Sequence, residues 1–383
     1  METLRALIRG DLAPAGYPIS STISSNRFNF FPENYHAHWL DSGTSSLAVA
    51  LMDCKSRRSD VESPQVIIPG YCCPDLVAAA VYAGVEPLVV DIAVDDPSYD
   101  LDQLAAAINS RVIAVIAINF LGLSERLAAV RQILQQRPET VYLIEDNAQW
   151  FPEKANTVFE SDYVTFSFGR GKPLSLLGGG VLLAKQSLAF LLHLVEGEKF
   201  GWKQKLKIKV YNNLLNPHWY AFVNRAPFLH LGEPRYHPLA SISAAADAVH
   251  CLLVDNFSAY QERSADVECF YQQQLQSVQQ LQALSSERKQ RLLRYPLLLA
   301  TPAHAATLYK QLAADGLGAS LMYRGSLEVI PGVAGKIQCF SSLARAKSFA
   351  SRLITLPVHC HVRQKHFEKI KKVLTLKINC NNC

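Results

Sequence analysis

Between Phe166 and Leu183 the chain reads FSFGRGKPLSLLGGGVLL, which sets a lone lysine, Lys172, between a glycine-rich approach and a triple glycine. Two chemistries use a lysine among glycines. A nucleotide-phosphate loop requires G-x-x-x-x-G-K-[ST]. Here Pro173 follows Gly171-Lys172 and Phe166 stands where the first glycine belongs, so the magnesium-binding hydroxyl and the turn glycine are both missing. The other chemistry makes the lysine the reagent: an amine that can shed its proton forms a Schiff base with an aldehyde cofactor. Pyridoxal 5′-phosphate suits the surrounding residues. Its ring nitrogen wants a carboxylate so that the ring can accept electrons, and its phosphate wants hydroxyls and backbone N–H groups at a helix N-terminus. Asp146 closes the apolar run YLIED, Gly43, Thr44, Ser45 and Ser46 precede a helical pattern, and Ser167 lies five residues before Lys172. Singly, each has an ordinary structural explanation: a helix cap, a structural aspartate, a solvated loop lysine. Their shared setting, at turns of one sheet domain, is what joins them.

That setting is read from the alternation of elements between residues 40 and 185. SPQVIIPG reads as a strand ending at Pro69-Gly70, PDLVAAAVYAG as a helix stopped by Gly84, and EPLVVDI as a strand. LDQLAAAIN is a helix opened by Asp100 or Asp102, RVIAVIAIN a strand, SERLAAVRQILQQR a helix and TVYLIED a strand, before DYVTFSFG and GGVLLA. Near-continuous apolar strands between helices predict a buried, mostly parallel sheet. Sites on such sheets gather at the C-terminal ends of the strands, where Asp146 and the Ser167–Lys172 segment fall.

Residues 199–235 differ in character. Lys199, Lys203, Lys205, Lys207, Lys209 and Arg225 interleave with Trp202, Tyr211, Trp219, Tyr220, Phe222 and Phe228. One reading is an insertion packed on the large domain or a dimer partner with solvated lysines; the other is an interfacial element touching a membrane surface or a polyanion. The rest predicts a smaller domain. SISAAADAVHCLLVDNFSAYQERSADVECFYQQQLQSV is one long helical pattern, LRYPLLL a strand, TPAHAATLYKQLAADGLGAS a helix capped by Thr301, and VRQKHFEKIKKVLTLKI the last helix. The expected organisation is a large cofactor-binding α/β domain over residues 1–240, carrying the insertion at about 199–235, and a smaller α+β domain over 241–383.

Bulk properties narrow the class. At 383 residues, 49% hydrophobic and 19% charged, the chain can bury more than one ordinary core and is not of disordered composition. A net charge of +5 gives no case for nucleic acid. The longest apolar run, Val112 to Leu123, is too short to span a bilayer, and the N-terminal sequence lacks a signal-peptide core, so a soluble, cytoplasmic protein is expected. The nine cysteines lack a framework spacing. Cys380 and Cys383 have metal-like spacing, with His359, Cys360 and His361 upstream, but a structural zinc site needs four compact ligands and chain ends fray, so no metal is expected.

Many short motifs in a fixed order then resemble one family, the sugar aminotransferases named DegT/DnrJ/EryC1/StrS, pyridoxal-phosphate enzymes of fold type I (aspartate aminotransferase-like). DSGTSSLAVAL resembles its N-G-T-S-A-L, and VIIPGYCCPDLVAAAVYAGVEPLVVDI its strand, loop and helix. SYDLDQLAAAI is similar to T-Y-N-I-D, INFLG to V-H-L-Y-G and IEDNAQ to I-E-D-A-A-Q. FSFGRGKPLSLLGGGVLL is similar to S-F-x-x-x-K with its following G-G-x-V, and LITLPVHCHV to L-P-L-H-P. The resemblance covers most of the chain. It implies that Lys172 holds the cofactor and shuttles a proton, that Asp146 pairs with the ring nitrogen and that Gln149 lies by the phenolic oxygen. Ser167, Thr44 and Ser45, with Gly43, would bind the phosphate. It also implies a homodimer, glutamate as amino donor and a nucleotide-linked keto-sugar as acceptor, in polysaccharide or secondary-metabolite synthesis. The chain departs from the pattern on the substrate side. Cys73 stands where a ring usually stacks on the cofactor, leaving Tyr71 as the nearby aromatic. Gly169 replaces a bulky residue, Leu177-Gly178 replaces Gly-Glu, and RYHPLAS, with His237 at the asparagine position, replaces G-x-N-Y-R-M. Two alternatives follow: a lyase or dehydratase acting on a sugar with the same cofactor, although sugar dehydratases of the family carry histidine in place of the lysine, or a catalytically altered member with a membrane-associated or regulatory role.

Overall fold

The computed structural model describes residues 9–24, 28–155, 157–223, 234–275, 281–282 and 291–379. Arg225, Phe228, Cys380 and Cys383 lie outside the described residues. The large sheet is built from β1 (His36–Leu40), β2 (Gln65–Pro69), β3 (Glu86–Val90), β4 (Val112–Ile118), β5 (Tyr142–Asp146), β6 (Tyr163–Ser167), β7 (Gly180–Ala184) and β10 (Gln338–Cys339), in the order β1-β7-β6-β5-β4-β2-β3-β10. All neighbours from β6 to β10 run parallel, while β7 is antiparallel to both β6 and β1. The register aligns Ile118 with Asp146 and Asp146 with Thr165, so the ends of β4, β5 and β6 meet at one edge. The expected α/β class with a mostly parallel sheet is the class observed.

Successive side chains of a strand point to opposite faces, and the cores divide accordingly. Tyr163, Leu182 and Ala184 pack on one face with α1 (Gly43–Arg57) and α2 (Asp75–Ala83), whereas Val164, Phe166, Val181 and Leu183 pack on the other. Local signals set the helix ends. Gly84 ends α2 in a left-handed conformation (φ +65°), which its lack of a Cβ permits. The Asp100 carboxylate caps α3 (Leu101–Ala107) by accepting the N–H groups of Asp102 and Gln103. α4 (Leu127–Gln135) completes the first series of crossovers, and α5 (Trp202–Leu214) and α6 (Pro217–Val223) form the described part of the basic insertion.

The pattern expected as one helix after residue 241 is two: α7 (Asp247–Gln261) and α8 (Asp266–Leu275). Leu252, Leu253 and Phe257 of α7 belong to the core over Phe166 and Val181. The expected division after residue 240 thus falls ahead of a helix that packs with the large sheet. A separate core begins with Tyr271 of α8 and is completed by β9 (Arg294–Leu299), α9 (Pro302–Ala314), β11 (Leu353–Pro357) and α11 (Gln364–Asn379). β11 and β9 pair antiparallel, with β8 (Leu281–Gln282) on the far side of β9. Between them the chain returns to the large sheet. β10 lies parallel to β3, and the Asp91 carboxylate at the end of β3 accepts the N–H groups of Arg345 and Ala346 at the start of α10 (Ala344–Arg352).

Candidate active site

Lys172 lies on the connection from β6 to β7, which folds back on itself. Phe168 N–H donates to the Gly179 carbonyl at 2.9 Å, Leu176 N–H to the Phe168 carbonyl at 2.7 Å, and Lys172 N–H to the Gly169 carbonyl at 3.3 Å. Arg263, beyond α7, donates to the Pro173 carbonyl at 2.6 Å and pins the loop beside the lysine. The triple glycine has a steric purpose. A Cβ on Gly180 would stand 2.4 Å from the Ser42 carbonyl oxygen, and one on Gly43 2.7 Å from the Ser167 Cβ. Only glycine lets the start of α1 lie this close to the ends of β6 and β7. At that helix start, Ser42 is the N-cap and accepts from Ser45 N–H at 3.0 Å.

These elements border a cleft whose lining includes Gly43, Thr44, Cys73, Asp146, Gln149, Ser167 and Lys172. Seven of the residues singled out from the sequence thus share one wall system. Three do not line it. Ser45 is fully buried and its hydroxyl is 2.8 Å from that of Ser42, so it serves the cap. Tyr71 is turned into the core, against the rings of Phe120, Tyr323 and Phe349, with its hydroxyl donating to the Tyr323 carbonyl at 3.2 Å. His237 is exposed, on the stretch where Tyr236 N–H bonds the Pro331 carbonyl.

The electrostatics favour a cationic or N–H partner at Asp146. Burial pushes its carboxyl above the usual range, while the Ala148 N–H, the Lys172 charge and the Thr165 hydroxyl oppose the shift. Both hydrogen bonds reach Oδ1, at 2.9 Å from Ala148 and 3.5 Å from Thr165. Oδ2 accepts none among the described residues. Gln149 is fixed at both ends of its amide: Oε1 accepts from Leu121 N–H at 2.9 Å, and Nε2 donates to the Tyr323 hydroxyl at 3.0 Å. Cys73 stays a thiol, pushed up to about 12 by burial and by the Asp75 charge, with Lys172 pulling the other way.

Residues not anticipated also line it, among them Cys72, Asp75, Phe120 and Tyr323. Asp75 opens α2 just after the Cys72-Cys73 pair and could have been marked as a strand-end acid. Tyr323 lies about 150 residues beyond Lys172, on an irregular segment with no local signature. With Tyr71 withdrawn, Phe120 and Tyr323 are the aromatic rings at the cleft. A side chain on Gly169 would meet Ser167 Oγ at 3.5 Å and Lys172 Cγ at 3.9 Å, ordinary contacts, so its absence leaves space beside the lysine.

The pieces fit pyridoxal phosphate. A long helix presents its N-terminus beside two hydroxyls, a buried carboxylate has a free oxygen, and a lysine lines the same cleft.

Comparison with known proteins gives the same direction. The model of the DegT/DnrJ/EryC1/StrS aminotransferase family matches residues 25–375. A dTDP-3-amino-3,4,6-trideoxy-alpha-D-glucose transaminase of Micromonospora megalomicea subsp. nigra is 28% identical over 150 residues, 38% of each chain. The match therefore spans well under half the length of that relative. Spr1654 of Streptococcus pneumoniae, described as a sugar aminotransferase and solved in its PLP form, superposes with a TM-score of 0.68 at 16% identity, covering 99% of this chain and 95% of its own. An E. coli GDP-4-keto-6-deoxy-D-mannose-3-dehydratase with bound hydrated PLP superposes with a TM-score of 0.66 at 12% identity, covering 88% and 87%. At such identities the structural likeness speaks of the fold alone. Among the described residues, no helix is long and apolar enough to cross a membrane.

Proposed function

The chain belongs to the DegT/DnrJ/EryC1/StrS aminotransferase family, and from that premise we propose that it is a pyridoxal 5′-phosphate-dependent aminotransferase. In this reading glutamate gives the amino group, a keto-sugar carried on a nucleotide or a related acceptor receives it, and the enzyme works as a cytoplasmic homodimer in polysaccharide or secondary-metabolite synthesis. The observation that carries the reading is the convergence of Lys172, Asp146, Ser167 and the α1 N-terminus on one cleft.

Bound pyridoxal phosphate supplies the electron sink that lets a proton leave the amino donor's α-carbon. The protein's own groups do the rest. The first-turn N–H groups of α1 and the hydroxyls of Thr44 and Ser167 would hold the phosphate. Asp146 would receive the ring-nitrogen N–H, and the partner it gained would offset the cost of burying its charge. Gln149, held by Leu121 and Tyr323, would present a fixed amide to the bound cofactor. Lys172 Nζ would take the proton that leaves the donor's α-carbon and return it at the cofactor's aldehyde-derived carbon, on the far side of the imine nitrogen. A lysine at 172 supports amino transfer over dehydration, and the room beside Gly169 supports an acceptor of unusual shape.

The test is spectroscopic and covalent. Protein supplied with pyridoxal phosphate should show the absorbance of a lysine-bound aldehyde. Borohydride should fix the cofactor on the Lys172 peptide, and glutamate should shift the spectrum to the amine form. Lys172→Ala should lower turnover by about 10²–10⁴-fold. A protein that takes up no cofactor would overturn the proposal.

A further inference from the structure

The second helix pair, α5 and α6, carries side chains that the cleft does not use. The orientation of α5 is fixed from inside. Ile208 enters the core over β6 and β7, Leu215 is buried just past the helix, and the Asn212 amide bonds both backbone groups of Ile19, at 2.8 Å and 2.9 Å. With that face inward, Trp202, Leu206 and Val210, four residues apart, form one stripe on the opposite face. Their exposures are 71%, 52% and 49%. Lys203 and Lys207 flank the stripe on one side, Lys205 and Lys209 on the other, and all four are exposed. On α6, Trp219 (61%) and Phe222 (60%) are exposed too. No acidic residue occurs from 199 to 232. Lys207 reaches Glu198 at 3.7 Å, and the other three form no ion pair among the described residues.

We propose that the α5–α6 face binds the surface of an anionic phospholipid bilayer, with Trp202, Leu206 and Val210 entering the headgroup boundary and the flanking lysines meeting lipid phosphates. An apolar stripe with tryptophan and a lysine on each flank is the arrangement of a helix lying in the interface plane, since long lysine stems keep their charge in the headgroups while the stripe sinks. A second copy of the chain fits the chemistry less well. Protein interface cores are depleted of lysine, and a two-fold contact through this face would oppose lysines to lysines with Glu198, already beside Lys207, as the neighbouring acid. The proposal stands independently of the cleft's chemistry.

The experiment is flotation of the full chain with vesicles of phosphatidylcholine, with and without phosphatidylserine, at low and high salt. Tryptophan quenching by brominated lipid is read in parallel. Binding should require phosphatidylserine, weaken with salt, and fall about fivefold for each of Lys203, Lys205 and Lys209 changed to Gln. Leu206→Glu should abolish it, and Trp202→Phe should remove most of the quenching. Soluble-fraction yield and cofactor absorbance, unchanged in each variant, show that the fold is intact. Absence of flotation with phosphatidylserine at low salt overturns the proposal. So does a Leu206→Glu chain that floats as before, or one that only shifts from dimer to monomer in sedimentation while wild-type protein ignores vesicles.

Discussion

The cleft around Lys172 and the helix pair at 202–223 use similar residue types to opposite ends. In the cleft a lysine, hydroxyls and an acid are enclosed by backbone held within contact distance: Gly43 against Ser167, Gly180 against Ser42, Phe168 bonded to Gly179. Gln149 is bonded at both ends of its amide and Asp146 at one oxygen. On the outer face of α5 the lysines and tryptophan stand in solvent, while inward residues such as Ile208, Tyr211 and Asn212 fix the helix. The first region is built to recognise a small, rigid molecule, the second to meet a broad and fluid surface. Rigidity is bought at the cleft with glycines and buried bonds, and it is absent where the partner can adapt.

The sharpest way to break this contrast is to add one methyl group at the junction. Gly180→Ala brings a Cβ to the Ser42 carbonyl oxygen, a backbone atom that cannot rotate away. It should cost at least about 3 kcal/mol in urea unfolding and release the cofactor, because the α1 N-terminus shifts with Ser42. Wild-type stability and retention in that variant would show the junction to be looser than its distances.

A middle-sized effect is expected under the cleft floor. Glu125 is buried, with Oε2 and Oε1 accepting the N–H groups of Tyr99 and Arg126, and burial raises its carboxyl to about 7. Since its folded value lies above its ordinary one, the stability it contributes is full below the ordinary carboxylate range and is lost as pH rises through about 7. Unfolding free energy should fall by about 2 kcal/mol from Glu125 alone between about pH 5 and pH 8. Glu125→Gln should flatten that slope while lowering the baseline, since its amide cannot accept both N–H groups. An unchanged slope would assign the pH dependence elsewhere. The smallest effect belongs to the outer helix: Leu206→Glu should change unfolding free energy by no more than about 0.5 kcal/mol, a value that a packed residue would exceed.

How far the sequence carries depends on whether a signal is local. The parallel sheet was legible because buried strands are continuously apolar, and Asp146, Ser167 and Lys172 stood out because strand ends gather on one edge. Tyr71 shows the limit. Its place after a strand marks a loop near the cleft, but nothing local tells that its ring turns inward to meet Phe120, Tyr323 and Phe349. Tyr323 was illegible for the complementary reason, since only the fold brings its segment to Gln149. The packing of α7 is hidden likewise. Periodicity marks a helix with Leu252, Leu253 and Phe257 on one side, but not that Phe166 and Val181 of the large sheet receive them. The outer stripe of α5 was visible in composition and hidden in pattern, because two apolar faces on one helix blur the usual period.

The return of β10 to the large sheet has a consequence for how the chain is made. The edge of β3, at Glu86–Val90, is covered by residues 338–339, and Asp91 meets α10 only at 345–346. On a ribosome these partners emerge roughly 250 residues apart, many seconds later at ordinary rates of synthesis. Throughout that interval β3 is an open, apolar strand edge of the sort that pairs with stray chains. The nascent chain therefore spends most of its synthesis needing protection on the flank opposite Lys172, a demand that its finished form no longer displays.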